Sequence, residues 1–203
     1  IREAAPGFAI VPWALHMGLR NGDRNALSKP IALRGGSTMA FEVIAVRRDG
    51  FDGDIELSMV DLPDGVTATG LKIAKGQTRG TIVVTAAQDV PRGMRIASLS
   101  GRGLIDGKEV VHPCQLASMA WPVANAWSEI PAPRLLADVP VSVGASEFAA
   151  ISLAAKEKKV WEAKVGETLK IPLTHVRRGE FSGASLNLRT FGAGFEKQPR
   201  FDV

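Results

Sequence analysis

Few residues in this chain are of the types that do chemistry, and their spacing restricts what that chemistry can be. The three histidines, His16, His112 and His175, lie in different segments, and no HExxH, CxxC or nucleophile-elbow pattern surrounds any of them. Cys114 stands two residues from His112, so an extended backbone puts the thiol and the imidazole on one face. A thiolate activated by imidazole, or a two-ligand metal pair, is the chemistry such a spacing allows. Pro113 between them and the lack of further ligands favour a packed cysteine near a strand end instead.

Asp49, Asp52 and Asp54 crowd one stretch, and hard cations want several oxygens on one turn. Their spacing does not fit the D-x-D-x-D-G calcium loop, so they read as solvent-facing turn residues. Gly-Arg-Gly at 101–103 and Gly-Ala-Gly-Phe at 192–195 are too short to cradle phosphate, and no helical pattern follows either. Trp121, Trp127 and Trp161 make a stacking platform for sugars if they lie coplanar in a groove, and a structural seal if they lie at a domain seam. No catalytic, cofactor-binding or metal-binding residue is therefore assigned, no cofactor is expected, and the chain is not expected to be an enzyme.

The elements that would position these residues are legible in a repeat. "GSTMAFEVIAVRRDGFDG" begins at Gly36 and "GETLKIPLTHVRRGEFSG" at Gly166, an offset of 166 − 36 = 130. At that offset Thr38, Phe41, Val46, Arg47, Arg48 and Phe51 meet Thr168, Ile171, Val176, Arg177, Arg178 and Phe181. Met39, Phe41 and Val43 alternate with Ala40 and Glu42, as a half-buried strand requires, and Leu169, Ile171 and Leu173 alternate likewise with Lys170. The Gly-containing connection is turn chemistry, its Phe a plug beneath the loop. Ile55, Leu57 and Met59, then Leu186 and Leu188, continue as the next strand of each copy. Residues 36–59 and 166–190 are thus expected as equivalent strand pairs, with Phe51 and Phe181 inward.

The whole composition agrees with an all-β reading. Twenty-one Gly and twelve Pro in 203 residues, with few long helix-forming runs, favour short strands joined by turns. "LPDGV" at 62–66 reads as a turn, "GTIVVTAA" at 80–87 and "MRIASLSGRGL" at 94–104 as strands, and Asp106-Gly107 as a tight hairpin. Residues 31–120 then hold about seven strands, the signature of an immunoglobulin-like sandwich. Four parts follow: residues 1–19 as the tail of an upstream domain or an N-terminal extension, 20–120 as the first sandwich, 121–147 as a Pro/Ala/Trp connector, and 148–203 as a second sandwich, incomplete because its closing strands would fall beyond Val203.

Residues 46–93, "VRRDGFDGDIELSMVDLPDGVTATGLKIAKGQTRGTIVVTAAQDVPRG", resemble the Ig-like modules that accompany bacterial pre-peptidase C-terminal domains in large exported proteins. "IREAAPGF" resembles the exit of such a pre-peptidase domain, and "GETLKIPLTHVRRGEFSG" the next module in an array. The resemblance implies a non-catalytic structural or protein-interaction segment of an exported protein: periplasmic, cell-surface or extracellular. A carbohydrate- or polymer-binding accessory module of a secreted hydrolase is the alternative.

Charge and hydropathy bound the partners. The net charge of +4 lies wholly in residues 156–203, whose ten Lys/Arg exceed six Asp/Glu. Alternation along strands spreads these cations over solvent rather than gathering them with aromatics on one face, so nucleic acid is not expected as a partner. No apolar run reaches the ~18 residues of a transmembrane span. An open second sandwich instead implies contacts with other domains of the same polypeptide, or with a partner chain that completes it.

Overall fold

The computed structural model describes residues 3–14, 31–120, 132–136, 138–164 and 166–178, and every helix or strand among them is a strand. The protein is all-β. In chain order the strands are β1 (Gly7–Ala14), β2 (Ile31–Gly35), β3 (Thr38–Arg48), β4 (Ile55–Val60), β5 (Val66–Thr69), β6 (Lys72–Ile73) and β7 (Arg79–Ala86). They continue as β8 (Gly93–Ile105), β9 (Lys108–Pro113), β10 (Ala117–Ala120), β11 (Ala132–Leu135), β12 (Val139–Phe148), β13 (Ile151–Ala155) and β14 (Leu173–Arg177).

Two sheets enclose the core. One runs β1-β3-β7-β5, antiparallel throughout, and the other runs β2-β12-β8-β4-β6, with β9 beside the second half of β8. Burial alternates along β4 and β2 as the period of a pleated strand demands. Phe8, Ile10, Phe41, Val43, Ile82 and Val84 of the first sheet meet Ile55, Leu57, Leu99 and Val141 of the second in one buried cluster. Each such side chain contributes about 1.5–3 kcal/mol relative to exposure, so this cluster holds the sandwich together. Asp106 and Gly107 both take positive φ (50° and 74°), the mirror-image turn that joins β8 to β9 where the sequence placed a hairpin.

The Gly-Arg-Gly stretch at 101–103 is a packing device. Gly101 and Gly103 lie on β8 beneath the opposite sheet, where a Cβ on Gly101 would collide with Ile10 and one on Gly103 would lie 2.9 Å from Phe8. Two missing side chains let the sheets approach, and Arg102 between them points outward to Glu56 and Glu109.

Two stretches expected outside the first sandwich are strands within it. Gly7–Ala14, read as belonging to an upstream tail, is β1 and pairs along its whole length with β3. Val139–Phe148, read as largely connector, is β12 and inserts between β2, to which it is parallel, and β8. Its Val139, Val141 and Val143 are buried while Pro140 and Ser142 are half-buried. That alternation was hidden in a Pro- and Ala-rich stretch. Upstream of it β11 pairs with β10, so this part of the expected connector also forms a ladder.

Of the second copy, expected over 166–190, the described part is β14, which pairs with β13 from before the repeat. Ile151 faces Arg177, Ser152 faces Val176 and Leu153 faces His175. In the first copy Phe8 faces Arg47, Ala9 faces Val46 and Ile10 faces Ala45. The strands that carry the repeat, β3 and β14, keep the 130-residue offset (177 − 47), while their antiparallel partners β1 and β13 lie 151 − 8 = 143 apart, outside the repeated stretch. The strand expected over Gly166–Val176 is shorter than expected, beginning only at Leu173, so Leu169 and Ile171 precede it. The cause is visible in the first copy, where the front of β3 from Thr38 to Ile44 is held by β7. Pro172, which has no N–H to give a ladder, stands where β3 has Glu42. Phe181, Leu186 and Leu188 lie outside the described residues.

Candidate functional site

Among the described residues, those that sequence reading singled out do not converge on one site. Cys114 is buried, donates its thiol to the Ile10 carbonyl at 3.4 Å and receives no charge partner. Burial pushes its pKa up to about 12, so the thiol is protonated at neutral pH and is no nucleophile. His112 turns its ring edge-on to Phe8, with centroids 4.9 Å apart. It lines a shallow groove of about 520 Å³ with Ala5, Arg48, Asp49, Asp106 and Lys108. Among the described residues no three His, Cys, Asp or Glu side chains are grouped as a metal would need.

Two of the three aspartates each hold a different segment. Asp49 accepts the Ala5 amide at 3.1 Å. Asp54 accepts the Lys75 amide at 2.7 Å and pairs with Lys72 at 2.8 Å. The hydrogen bonds from Lys72 and from the Lys75 backbone lower the Asp54 pKa below its ordinary value. Asp52 remains exposed. Phe51 is buried as expected, stacked on Phe8 with centroids 5.1 Å apart. Arg47 seals the same loop: its guanidinium donates to the carbonyls of Gly53, Ala74 and Gln77 and lies 5.4 Å from the Phe51 ring.

The most developed polar constellation is the joint between the first sandwich and β13–β14. Arg178 donates from Nη1 to the Ala149 carbonyl and to Ser152 Oγ, both at 2.8 Å, and from Nη2 to Gln88 Oε1 at 3.2 Å. Ser152 Oγ in turn donates to the Gly36 carbonyl at 3.2 Å, and the Ala149 amide to the Gly35 carbonyl at 2.8 Å. Gly36 has φ +73°, and a Cβ there would meet Ser152 Oγ at 3.4 Å and Arg178 Nη2 at 3.5 Å. A Cβ on Gly35 would strike the Gln88 carbonyl. The two glycines, one arginine and one serine thus form a close seam with its polar groups paired. Sequence reading found Arg178 only as half of a repeated Arg-Arg. The signal for more was there, because both arginines persist between copies while the flanking DGFDG becomes GEFSG.

Trp161 is half-buried, with the Lys159 ammonium 4.1 Å from its ring centroid. Trp121, Trp127, His16 and the 192–195 stretch lie outside the described residues, while His175 is exposed on β14.

No protein-family model and no curated protein matches the chain. Among solved structures, the S-layer protein SbsC domains 4 and 5 share 18% identity over 56% of this chain and 54% of that one, with a TM-score of 0.30. The surface layer protein SbsC, domains 4–9, shares 13% identity over 85% of this chain and 27% of that one, with a TM-score of 0.29. The chain therefore spans about half of the first and a quarter of the second. Likenesses at these scores carry no argument about this chain's role.

Proposed function

We propose that this chain is a non-catalytic structural and protein-contact segment of an exported multidomain bacterial protein, in which Ig-like sandwich modules of the kind associated with pre-peptidase C-terminal domains follow one another. The observation that carries this reading is the recurrence of the Val-Arg-Arg strand β3 as β14, each antiparallel to an earlier strand, with β13–β14 fastened to the first sandwich through Arg178. A built joint between successive modules sets their relative orientation, which a spacer must hold and a catalytic fold has no need to repeat. The reactive side chains support it further, since the Cys114 thiol and the Asp49 and Asp54 carboxylates are spent on internal bonds. Leu153, Ile171 and Leu173 are 43%, 43% and 44% exposed. They offer an apolar face for further domains of the polypeptide or for a partner chain. A periplasmic, cell-surface or extracellular location belongs to the same proposal. The carbohydrate-binding alternative gains nothing from Trp161, one face of which Lys159 covers.

The test is Arg178→Ala in the full chain, read by limited proteolysis around residues 148–164. Loss of charge-assisted hydrogen bonds at a half-buried site releases the pair, and cleavage there accelerates about tenfold, while the first sandwich keeps its melting temperature. Unchanged cleavage would show that β13–β14 is not held as a seated module.

A further inference from the structure

The net charge of the protein is concentrated in one hairpin. Residues 156–178 hold seven Lys/Arg against three Asp/Glu, a net of 7 − 3 = +4, while residues 179–203 hold three of each and add nothing. Five of those seven, Lys156, Lys158, Lys159, Lys164 and Lys170, lie in the connection between β13 and β14, not along strands where alternation was expected to spread them. The Lys156 amide donates to the Pro172 carbonyl at 2.9 Å and closes the neck of this connection, at the end of the hairpin away from Arg178. All five lysines are exposed. Glu157 pairs with Lys159 at 2.7 Å, while among the described residues the side chains of Lys156, Lys158, Lys164 and Lys170 make no ion pair.

The same stretch carries apolar groups. Val160 is 85% exposed, the most exposed of the large apolar side chains among the described residues. Trp161 beside it is half-buried, and its indole N–H is out of contact with water without a hydrogen-bond partner, although such groups ordinarily find one when buried. A singly exposed valine is ordinary. Joined to an indole with an unpaired donor and a collar of lysines, it has the composition of an interfacial anchor. We infer that the Lys156–Trp161 stretch is a peripheral anchor for an anionic lipid surface. Lysine is a hydrated point charge on a flexible stem, suited to the diffuse field of anionic headgroups, whereas fixed bidentate recognition of a phosphate would want arginine. Val160 enters the boundary between headgroups and acyl chains, and Trp161 takes the level that its ring favours, where a headgroup oxygen accepts from its N–H. A soluble polyanion would meet the lysines and leave Val160 in water, so the lipid surface is the better fit. This anchor adds a partner to the modular reading and does not rest on it.

Flotation of the full chain with vesicles of phosphatidylcholine, with and without phosphatidylglycerol, tests this. The expected result is reversible binding to the vesicles that contain phosphatidylglycerol, little to phosphatidylcholine alone, and release by added salt. Lys156→Glu and Lys158→Glu together lower the binding about tenfold or more. Val160→Ser changes no charge and lowers it about fivefold. All three positions are exposed, so the variants keep the fold and the melting temperature. Brominated acyl chains quench part of the tryptophan fluorescence, and Trp161→Phe removes that part. Absence of binding to the anionic vesicles, equal binding to both kinds, or fluorescence that brominated lipid does not quench overturns the inference. So does binding that Val160→Ser leaves unchanged and that soluble dextran sulfate reproduces, which would make the stretch a site for polyanions at large.

Discussion

The Val-Arg-Arg strand occurs twice in this molecule, as β3 and as β14, and among the described residues only the first copy is covered. Around β1–β3, Phe8, Phe41 and Val43 are 4%, 3% and 0% exposed, whereas at positions 171 and 173 of the second copy Ile and Leu are 43% and 44% exposed. An antiparallel partner earlier in the chain is common to both, β1 for β3 and β13 for β14. Burial is not, because it is supplied by strands remote in sequence. β7 lengthens β3 by pairing along its front half, and β4, β8 and β12 cover its inner face. Among the described residues β14 pairs with β13 alone. A strand's identity is thus written in its own residues, and its energetic weight in those of its neighbours.

The largest expected effect separates the copies at equivalent positions. Phe41→Ala should cost the first sandwich about 3–5 kcal/mol in denaturant unfolding. Ile171→Ala, at the matching place in the second copy, should lie within about 0.5 kcal/mol of the parent. A comparable loss at both positions would mean that Ile171 packs against something in solution and that the two copies are equally closed.

Next comes the sheet-to-sheet approach that only the first sandwich makes. Gly103→Val places methyl groups between Phe8 and Phe51, where even a Cβ lies 2.9 Å and 3.1 Å from their rings. It should destabilise by about 1–3 kcal/mol by forcing those rings aside, measured as a lowered melting temperature. Trp161 fluorescence should be unchanged, since that residue lies on the far side of the joint in sequence. A neutral result would show that the sheets can part at no cost, and the contrast in packing would lose its basis.

How much of this could be read beforehand follows the same division. The alternation of β3 and β4, the Phe51 plug and the Asp106-Gly107 hairpin were legible, each depending on residues close in sequence; of the second copy only Leu173–Arg177 is a strand among the described residues. The membership of β1 and β12 was not, because Pro and Ala obscured VPVSV at 139–143 and because only pairing with β3 and β8 reveals where these strands belong. Gly101 and Gly103 could be recognised as unlike a phosphate loop, yet their service to Ile10 and Phe8 depends on the opposite sheet. The joint escaped for that reason too: Gln88, Gly36, Ser152 and Arg178 come from four separate stretches, and no local pattern unites them.

The smallest effect concerns a pin that the first copy has and the second lacks. Asp54 holds Lys72 and the Lys75 amide, while the second copy carries Ala184 at that offset. Those hydrogen bonds lower the Asp54 pKa from 3.8 in the folded state. The unfolded chain therefore binds a proton at higher pH than the folded chain does. By linkage, the pin's contribution is fully present above pH 3.8 and is lost as pH falls through the depressed folded value. Asp54 is exposed, so solvent screens the pair and the effect on stability is slight. Asp54→Asn should leave a somewhat lower melting temperature at neutral pH and a shallower decline below pH 4 than the parent shows. Two parallel acid profiles would show that the loop is held by Arg47 and Phe51 without help from the carboxylate, and that the two copies differ in their covering strands but not in this electrostatic detail.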